Sequence, residues 1–122
     1  SLPAMIKAIR LQEKASKVGF DWNDIGEVWQ KVEEELAELR DSMEAQDQQA
    51  IEKEMGDVFF AMINYARFLA VDPELALERT NSKFIHRFRY IERQAAAQGL
   101  HFHDLKIEEM NHFWEESKKD NP

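Results

Sequence analysis

The 122-residue sequence contains no cysteine, only four glycines and three prolines, and fewer basic than acidic residues. The lack of cysteine excludes disulfide bonds, zinc–thiolate sites and thiol nucleophiles. With 16 Lys and Arg against 24 Asp and Glu, the formal net charge is -8, which is not the basic footprint that general nucleic-acid binding needs. No apolar run approaches the ~20 residues of a membrane span. We therefore expect neither a nucleic-acid partner nor a membrane partner.

The chain begins Ser-Leu-Pro-Ala, which does not resemble a secretory signal. We therefore expect a cytoplasmic protein. A chain of 122 residues is long enough to bury one core, so residues 1–122 are interpreted as a single domain. Because the sequence lacks an initiator Met, we expect that domain to be a fragment of a longer protein.

The scarcity of glycine and proline and the helical spacing of the apolar residues predict an all-α fold, a bundle of four to five helices. The first helix is predicted from about Pro3 to Lys17. Asn23 or Asp24 is expected to cap the second helix. The polar stretch 45–49 is expected to form the turn into the third helix.

Two further helices are predicted in the second half of the chain. Asp72 followed by Pro73 is a typical helix start, with an aspartate cap and proline in the first helical position. That fourth helix is expected to end near Gln98, with Gly99 just beyond it. A short final helix is expected around Phe113.

Apolar stripes on the second and third helices are predicted to form the core. Their members are Ile25, Val28, Trp29, Val32, Leu36, Leu39 and Met43 on the second helix, and Ile51, Met55, Val58, Phe59 and Met62 on the third. Apolar residues are also expected on exposed flanks of the helices, where they predict self-association, namely Phe59, Phe60, Ile63 and Phe68.

Two carboxylate pairs provide the strongest chemical signal. Glu35 and Glu38 are spaced i, i+3, and so are Glu54 and Asp57, so each pair lies on one face of its helix. If the two helices pack antiparallel, four carboxylates can meet, and such oxygen clusters suit Mg2+ or Mn2+ and, through them, phosphate substrates. Gly56 removes side-chain bulk between the second pair. The alternative interpretation is a solvated acidic face.

A rival metal motif occurs near the C-terminus. Glu109 and His112 form a Glu-x-x-His unit, which di-iron bundles use twice. Because the unit occurs once here, the sequence does not favour a di-iron site.

The fourth helix contains basic residues that suit a phosphate group. Lys83 and Arg87 are spaced i, i+4 and share a face, where they can act as a phosphate clamp. The alternative is an ordinary amphipathic helix with cations reaching solvent. Trp114, with Lys118 four residues later, is either a stacking surface for a base or a core or interface tryptophan.

Taken together, these motifs resemble those of the MazG nucleoside triphosphate pyrophosphohydrolases. The resemblance rests on Lys31-Val-x-Glu34-Glu35-x-x-Glu38, then Glu54-x-x-Asp57, then Asn81-x-Lys83-Phe-x-x-Arg87-Phe88. It covers nearly the whole chain and is strongest to the C-terminal MazG domain of two-domain bacterial members. It implies an all-α NTP pyrophosphatase fold, assembled as a homodimer or higher oligomer. The implied reaction is Mg2+-dependent hydrolysis of nucleoside triphosphates to monophosphate and pyrophosphate, with broad base tolerance and Mn2+ as a substitute.

The resemblance also implies roles for individual residues. Glu35, Glu38, Glu54 and Asp57 would bind the metal, and Glu38 and Glu35 would act in catalysis. The substrate would contact Lys31, Glu34, Lys53, Asn81, Lys83, Arg87, Trp114 and Lys118. Two alternatives remain: a non-catalytic nucleotide-sensing or dimerisation module, and a narrower enzyme acting on phosphoribosyl-ATP, dUTP or modified dNTPs.

Overall fold

In the computed structural model, residues 2–120 are described, and within them the only regular elements are helices. The elements are α1 (Ala4–Lys17), α2 (Ile25–Glu44), α3 (Gln48–Phe68), α4 (Pro73–Ala97), a 3-10 turn (Phe102–Asp104) and α5 (Ile107–Asp120). The predicted all-α class with five helices is therefore confirmed.

Side-chain caps explain where three helices begin. The Asp24 carboxylate accepts a hydrogen bond from the Glu27 amide at 3.0 Å, and Asp47 accepts one from the Ala50 amide at 3.2 Å. Asp72 accepts from the Glu74 amide at 3.0 Å, as expected of a cap before a helix that starts at Pro73. Each carboxylate satisfies an amide that has no partner inside its helix.

The end of α4 depends on a glycine. Gly99 has a φ of 73°, in the left-handed region, and the Leu100 amide donates to the Ala95 carbonyl at 2.9 Å. This is the glycine-terminated helix end that the sequence predicts. The helix itself ends at Ala97, one residue before the predicted position.

The chain divides into two compact units, Ser1–Glu74 and Leu75–Pro122. In the first, α2 packs along α3, and α1 is tied to α3 by the Gln12 side-chain amide, which donates to the Phe60 carbonyl at 2.9 Å. In the second, α4 and α5 enclose a small apolar cluster of Ile91, Ala95, Leu105 and Phe113.

The predicted core of the first unit is only partly correct. Val28 and Val32 on α2 and Val58 on α3 are buried, but much of the predicted stripe is exposed. The buried arc of α2 runs through Glu35 and Ser42. The neighbouring arc stays largely exposed, although the Trp29 ring on it lies 5.0 Å from the Tyr65 ring of α3. The exposed members are Ile25, Trp29, Leu36 and Met43 on α2, and Met55, Phe59 and Met62 on α3. We call these residues the apolar stripes.

Only some of the flanking residues that were predicted to be exposed are exposed in the structure. Phe59 and Phe60 are exposed, whereas Ile63 is buried at 8% exposure and Phe68 is half-buried. Ile63 was therefore wrongly predicted as a surface residue.

Candidate metal and nucleotide site

The α2 side of the acidic site is built around a buried glutamate. Only 8% of the Glu35 side chain is exposed, and its Oε1 lies 2.9 Å from Lys31 Nζ, one helical turn earlier. The hydrogen bond from Lys31 holds the pKa of Glu35 below its ordinary value, although burial opposes this shift. Glu34 lies on the outer side of the same lysine, at 3.9 Å. Lys31 thus stabilises a carboxylate that burial would otherwise neutralise.

The α3 side repeats this arrangement nearer the surface. Lys53 Nζ lies 3.1 Å from Glu54 Oε1 and 3.5 Å from Asp57 Oδ2. The Glu54 side chain is 14% exposed, whereas Asp57 is 44% exposed. The lysine itself is largely solvated, so its ion pairs add little to stability.

Three of the four predicted carboxylates converge. Oxygen atoms of Glu35, Glu38 and Glu54 all lie within 4.8 Å of one another. The hydrogen bond with Glu54 and the charge of Glu35 raise the pKa of Glu38 above its ordinary value. Asp57 is not part of this group; its shorter side chain is directed towards Lys53 on its own helix. Asp57 and Glu35 nevertheless line the same cavity.

The donor set fits a small divalent cation. One oxygen of Glu35 and one of Glu54 are buried and have no hydrogen-bond partner among residues 2–120, and buried polar atoms are rarely left in that state. Glu35, Glu38 and Glu54 would hold such an ion through oxygen atoms that lie within 4.8 Å of one another, and Glu38 is the exposed member of the group.

Gly56 does not approach any described neighbour. A Cβ built at this position would meet nothing within 4 Å. The space that this glycine leaves between Glu54 and Asp57 is therefore open.

The residues of α4 and α5 that are predicted to contact substrate belong to the second unit. Asn81 and Lys83 are exposed on α4, whereas Arg87 is buried and its guanidinium lies 5.1 Å from the centre of the Trp114 ring. Phe84 also packs on Trp114, with ring centres 5.6 Å apart. The tryptophan is thus partly covered by its own unit. In the same unit Lys118 pairs with Glu115 at 3.0 Å.

The rival Glu109–His112 motif is used for other contacts. His112 Nε2 lies 2.6 Å from Glu116, and the Glu109 carboxylate accepts from the Lys106 amide at 3.2 Å. Both contacts are local ones, within α5 or at its start.

A cavity of about 230 Å³ beside the acidic group was not predicted from the sequence. It lies within the first unit and is lined by Trp22, Val28, Lys31, Glu35, Asp57, Phe60, Ala61 and Asn64. Next to it, Arg67 makes a bidentate ion pair with Asp21 and also donates to Asn64. Asp21 and Arg67 lie 46 positions apart, so no local spacing in the sequence signals this network.

Comparison with known proteins gives a consistent result. The model of the MazG nucleotide pyrophosphohydrolase domain matches residues 26–91, which include both carboxylate pairs and the basic part of α4. The chain is 45% identical over 117 residues to a Thermotoga maritima protein named nucleoside triphosphate pyrophosphohydrolase/pyrophosphatase MazG, covering 96% of this chain and 45% of the relative. It is 42% identical over 121 residues to the Escherichia coli K12 nucleoside triphosphate pyrophosphohydrolase, covering 98% of this chain and 46% of the relative.

The chain therefore spans about half the length of the relatives it matches. A further match, 45% identical over 76 residues, is to 16% of the Bacillus subtilis protein YabN, which is named as uncharacterised. None of the helices in residues 2–120 combines the length and apolar character that crossing a bilayer requires.

Proposed function

This chain belongs to the MazG nucleotide pyrophosphohydrolase domain family, and on that premise we propose that it hydrolyses nucleoside triphosphates to nucleoside monophosphates and pyrophosphate. The observation that best supports this is the convergence of Glu35, Glu38 and Glu54 within 4.8 Å. A carboxylate cluster of this size repels itself unless protons or a cation neutralise it. A polyphosphate substrate brought in with a divalent cation satisfies that requirement.

We propose Mg2+ as the cation, held by Glu35, Glu38 and Glu54, with Asp57 as a fourth ligand after its carboxylate leaves Lys53. An all-oxygen donor set favours Mg2+, and Mn2+ is the expected substitute. When bound, the cation would neutralise triphosphate charge and make an attacking water more acidic. Lys31 and Lys53, which now pair with the same carboxylates, would then be free to contact phosphate oxygens.

In the proposed reaction a water oxygen bonds to the α-phosphorus while the bond from that phosphorus to the α,β-bridging oxygen breaks. Pyrophosphate departs with the bridging oxygen. Glu38 is the proposed general base, because it is the exposed member of the carboxylate group and can reach a water. Glu35 supports this role by holding the cation in place. No covalent intermediate is required.

The second unit is proposed to hold the phosphate chain. Lys83 is exposed and supplies a point charge, and Arg87 supplies a planar fork whose orientation is fixed against Trp114. Asn81 and Lys118 are proposed to contact the same nucleotide. Glu34 is proposed to orient Lys31 at the edge of the nucleotide site. The charge that develops on pyrophosphate would be shared by Lys83 and Arg87.

We also propose that the protein acts as a homodimer or a higher oligomer. The apolar stripes leave residues as large as Trp29 and Phe59 exposed, at 43% and 62%. Contiguous apolar surface of this kind usually marks a contact with another chain. A second copy of the chain offers matching stripes. We propose that it works in the cytoplasm, where nucleoside triphosphates and Mg2+ are both abundant.

The test is a panel of canonical and modified nucleotides, including dUTP and phosphoribosyl-ATP, assayed with and without Mg2+ and read out by product identity. We expect Mg2+-dependent release of pyrophosphate from several bases. Activity on one nucleotide alone would indicate the narrower enzyme. A protein that binds nucleotides without releasing pyrophosphate would be the sensing module.

Two variants connect the activity to the site. Glu38→Gln should abolish turnover, whereas Glu33→Gln, an exposed neighbour on the same helix, should leave it unchanged. Lys83→Ala should chiefly raise KM for the triphosphate; an unaltered KM would remove Lys83 from the proposed phosphate site.

A further inference from the structure

The loop that precedes α2 is fixed to the middle of the first unit by one arginine. Arg67 NH1 and NH2 donate to the two oxygens of Asp21 at 3.0 and 2.7 Å, a fork-to-fork ion pair across 46 positions of sequence. Asp21 also accepts from the Trp22 backbone amide at 2.8 Å. The ion pair thereby fixes the backbone at Trp22, whose side chain forms one wall of the 230 Å³ cavity.

The same arginine fixes the orientation of a buried amide. Asn64 Oδ1 accepts from Arg67 Nε at 3.2 Å and from NH2 at 2.8 Å. Because a guanidinium can only donate hydrogen bonds, the Asn64 atom facing it must be the oxygen. The Asn64 residue is 4% exposed and lines the cavity, so the group it can present there is the NH2 donor.

The size and lining of the cavity limit what it can hold. At about 230 Å³ it is smaller than the ~300 Å³ lower bound of sites that enclose a whole drug-sized ligand. It therefore suits one part of a nucleotide. Its lining includes Glu35, one of the carboxylates proposed to hold the metal, and Asp57, together with the aromatic residues Trp22 and Phe60. Aromatic walls favour a flat ring over a phosphate or a sugar.

We propose that this cavity binds the base of the nucleotide, that Asn64 donates a hydrogen bond to an acceptor atom of the base, and that Arg67 and Asp21 are positioning residues for Asn64 and Trp22. The inference rests on the proposed function, because it requires a nucleotide whose phosphates reach the acidic group. With the base in this cavity, Trp114 is not needed as a stacking surface. Its ring already contacts Arg87 and Phe84. A single donor meets an acceptor on any of the common bases, which agrees with broad tolerance.

The test compares binding of three ligands by calorimetry in the presence of Mg2+. They are a non-hydrolysable α,β-imido nucleoside triphosphate, ribose 5-triphosphate without a base, and inorganic tripolyphosphate. Asn64→Leu preserves size but removes the amide donor, and we expect it to raise Kd for the nucleotide analogue about 3- to 10-fold. Binding of the two ligands without a base should stay within experimental error. In steady-state assays the change should appear in KM rather than kcat.

Arg67→Lys tests the positioning role, because lysine keeps the charge beside Asp21 but cannot hold Asn64 and Asp21 together as a fork. We expect the same selective loss of nucleotide binding, with binding of the two ligands without a base unchanged. Arg10→Lys, at an exposed position of α1, is the matched control and should change nothing.

Different outcomes separate the two levels of proposal. A wild-type protein that neither binds nor hydrolyses nucleotides would overturn the proposed function. An active wild type whose Asn64→Leu variant binds all three ligands normally would overturn only the base site, as would equal weakening of all three. If Asn64→Leu has its effect but Arg67→Lys has none, the positioning role is wrong.

Discussion

Replacing Glu54 by glutamine should stabilise the metal-free protein while removing its response to Mg2+. Glu54 and Glu35 are both largely buried, and their oxygens lie within 4.8 Å. At an effective dielectric constant of ~20, two charges at that distance repel by roughly 3 kcal/mol. The neutral amide removes this repulsion, and its NH2 group can donate to the carboxylate beside it.

Two effects make the gain in stability smaller than this repulsion energy. Glu54→Gln weakens the ion pair with Lys53, but this lysine is 71% exposed, so the pair adds little to stability. Lys31 already offsets part of the charge of Glu35. We therefore expect the free energy of unfolding to rise by about 1–2 kcal/mol, or roughly 3–8 °C in thermal midpoint.

The assay is thermal unfolding followed by circular dichroism, first in chelator and then across a Mg2+ titration. The wild type should gain about 2.7 kcal/mol when Mg2+ reaches about 100 times its Kd, whereas Glu54→Gln should gain much less. The difference in free energy of unfolding between the two proteins should therefore narrow or change sign as Mg2+ is added. Glu52→Gln, at an exposed position on the same helix, is the control. A Glu54→Gln protein that melts below the wild type in chelator would refute the claim that these carboxylates repel one another.

Three other perturbations test separate parts of the structure. The Arg67 hydrogen bonds lower the pKa of Asp21 from 3.8 to about 2, so this ion pair should stabilise the fold fully above about pH 4 and be lost as the pH falls towards 2. Asp21→Asn should accordingly lower the free energy of unfolding by about 1–2 kcal/mol near pH 7, allowing for the partial exposure of the pair. In denaturant titrations this loss of stability should shrink below pH 4. A loss that does not depend on pH would contradict the assigned ion pair. Phe59→Glu should give a folded monomer in light scattering, and an unchanged oligomer would exclude that stripe as the interface. Phe113→Ala should destabilise the second unit by about 3–5 kcal/mol, measured by loss of the near-ultraviolet signal on heating, and a loss under 1 kcal/mol would mean that this small core contributes little.

The sequence predicts the helices well because their ends depend on local chemistry. Asp24 and Asp72 cap helices through amides two or three residues away, and Gly99 ends α4 through its own φ angle. The same locality explains why the i, i+3 carboxylates were recognised as a possible site. Their spacing determines a helix face without any knowledge of the rest of the chain.

Features that depend on packing between helices were not predictable in the same way. The spacing of Trp29 and Leu36 is that of a core stripe, yet both residues stay exposed and the buried arc beside them includes Glu35. A glutamate on a buried arc conflicts with hydrophobic patterning, and such conflicts are often found at functional positions. The Asp21–Arg67 pair joins residues 46 positions apart, so no local pattern could indicate it.

The most direct test of the metal site is the addition of substoichiometric Mn2+ to isotopically labelled protein, followed by nuclear magnetic resonance. Paramagnetic broadening should begin at residues around Glu35, Glu38 and Glu54, and excess Mg2+ should reverse it. In Glu38→Gln the same broadening should require more Mn2+. Broadening that is uniform over the acidic surface, or that begins elsewhere, would contradict a divalent-cation site at these three carboxylates.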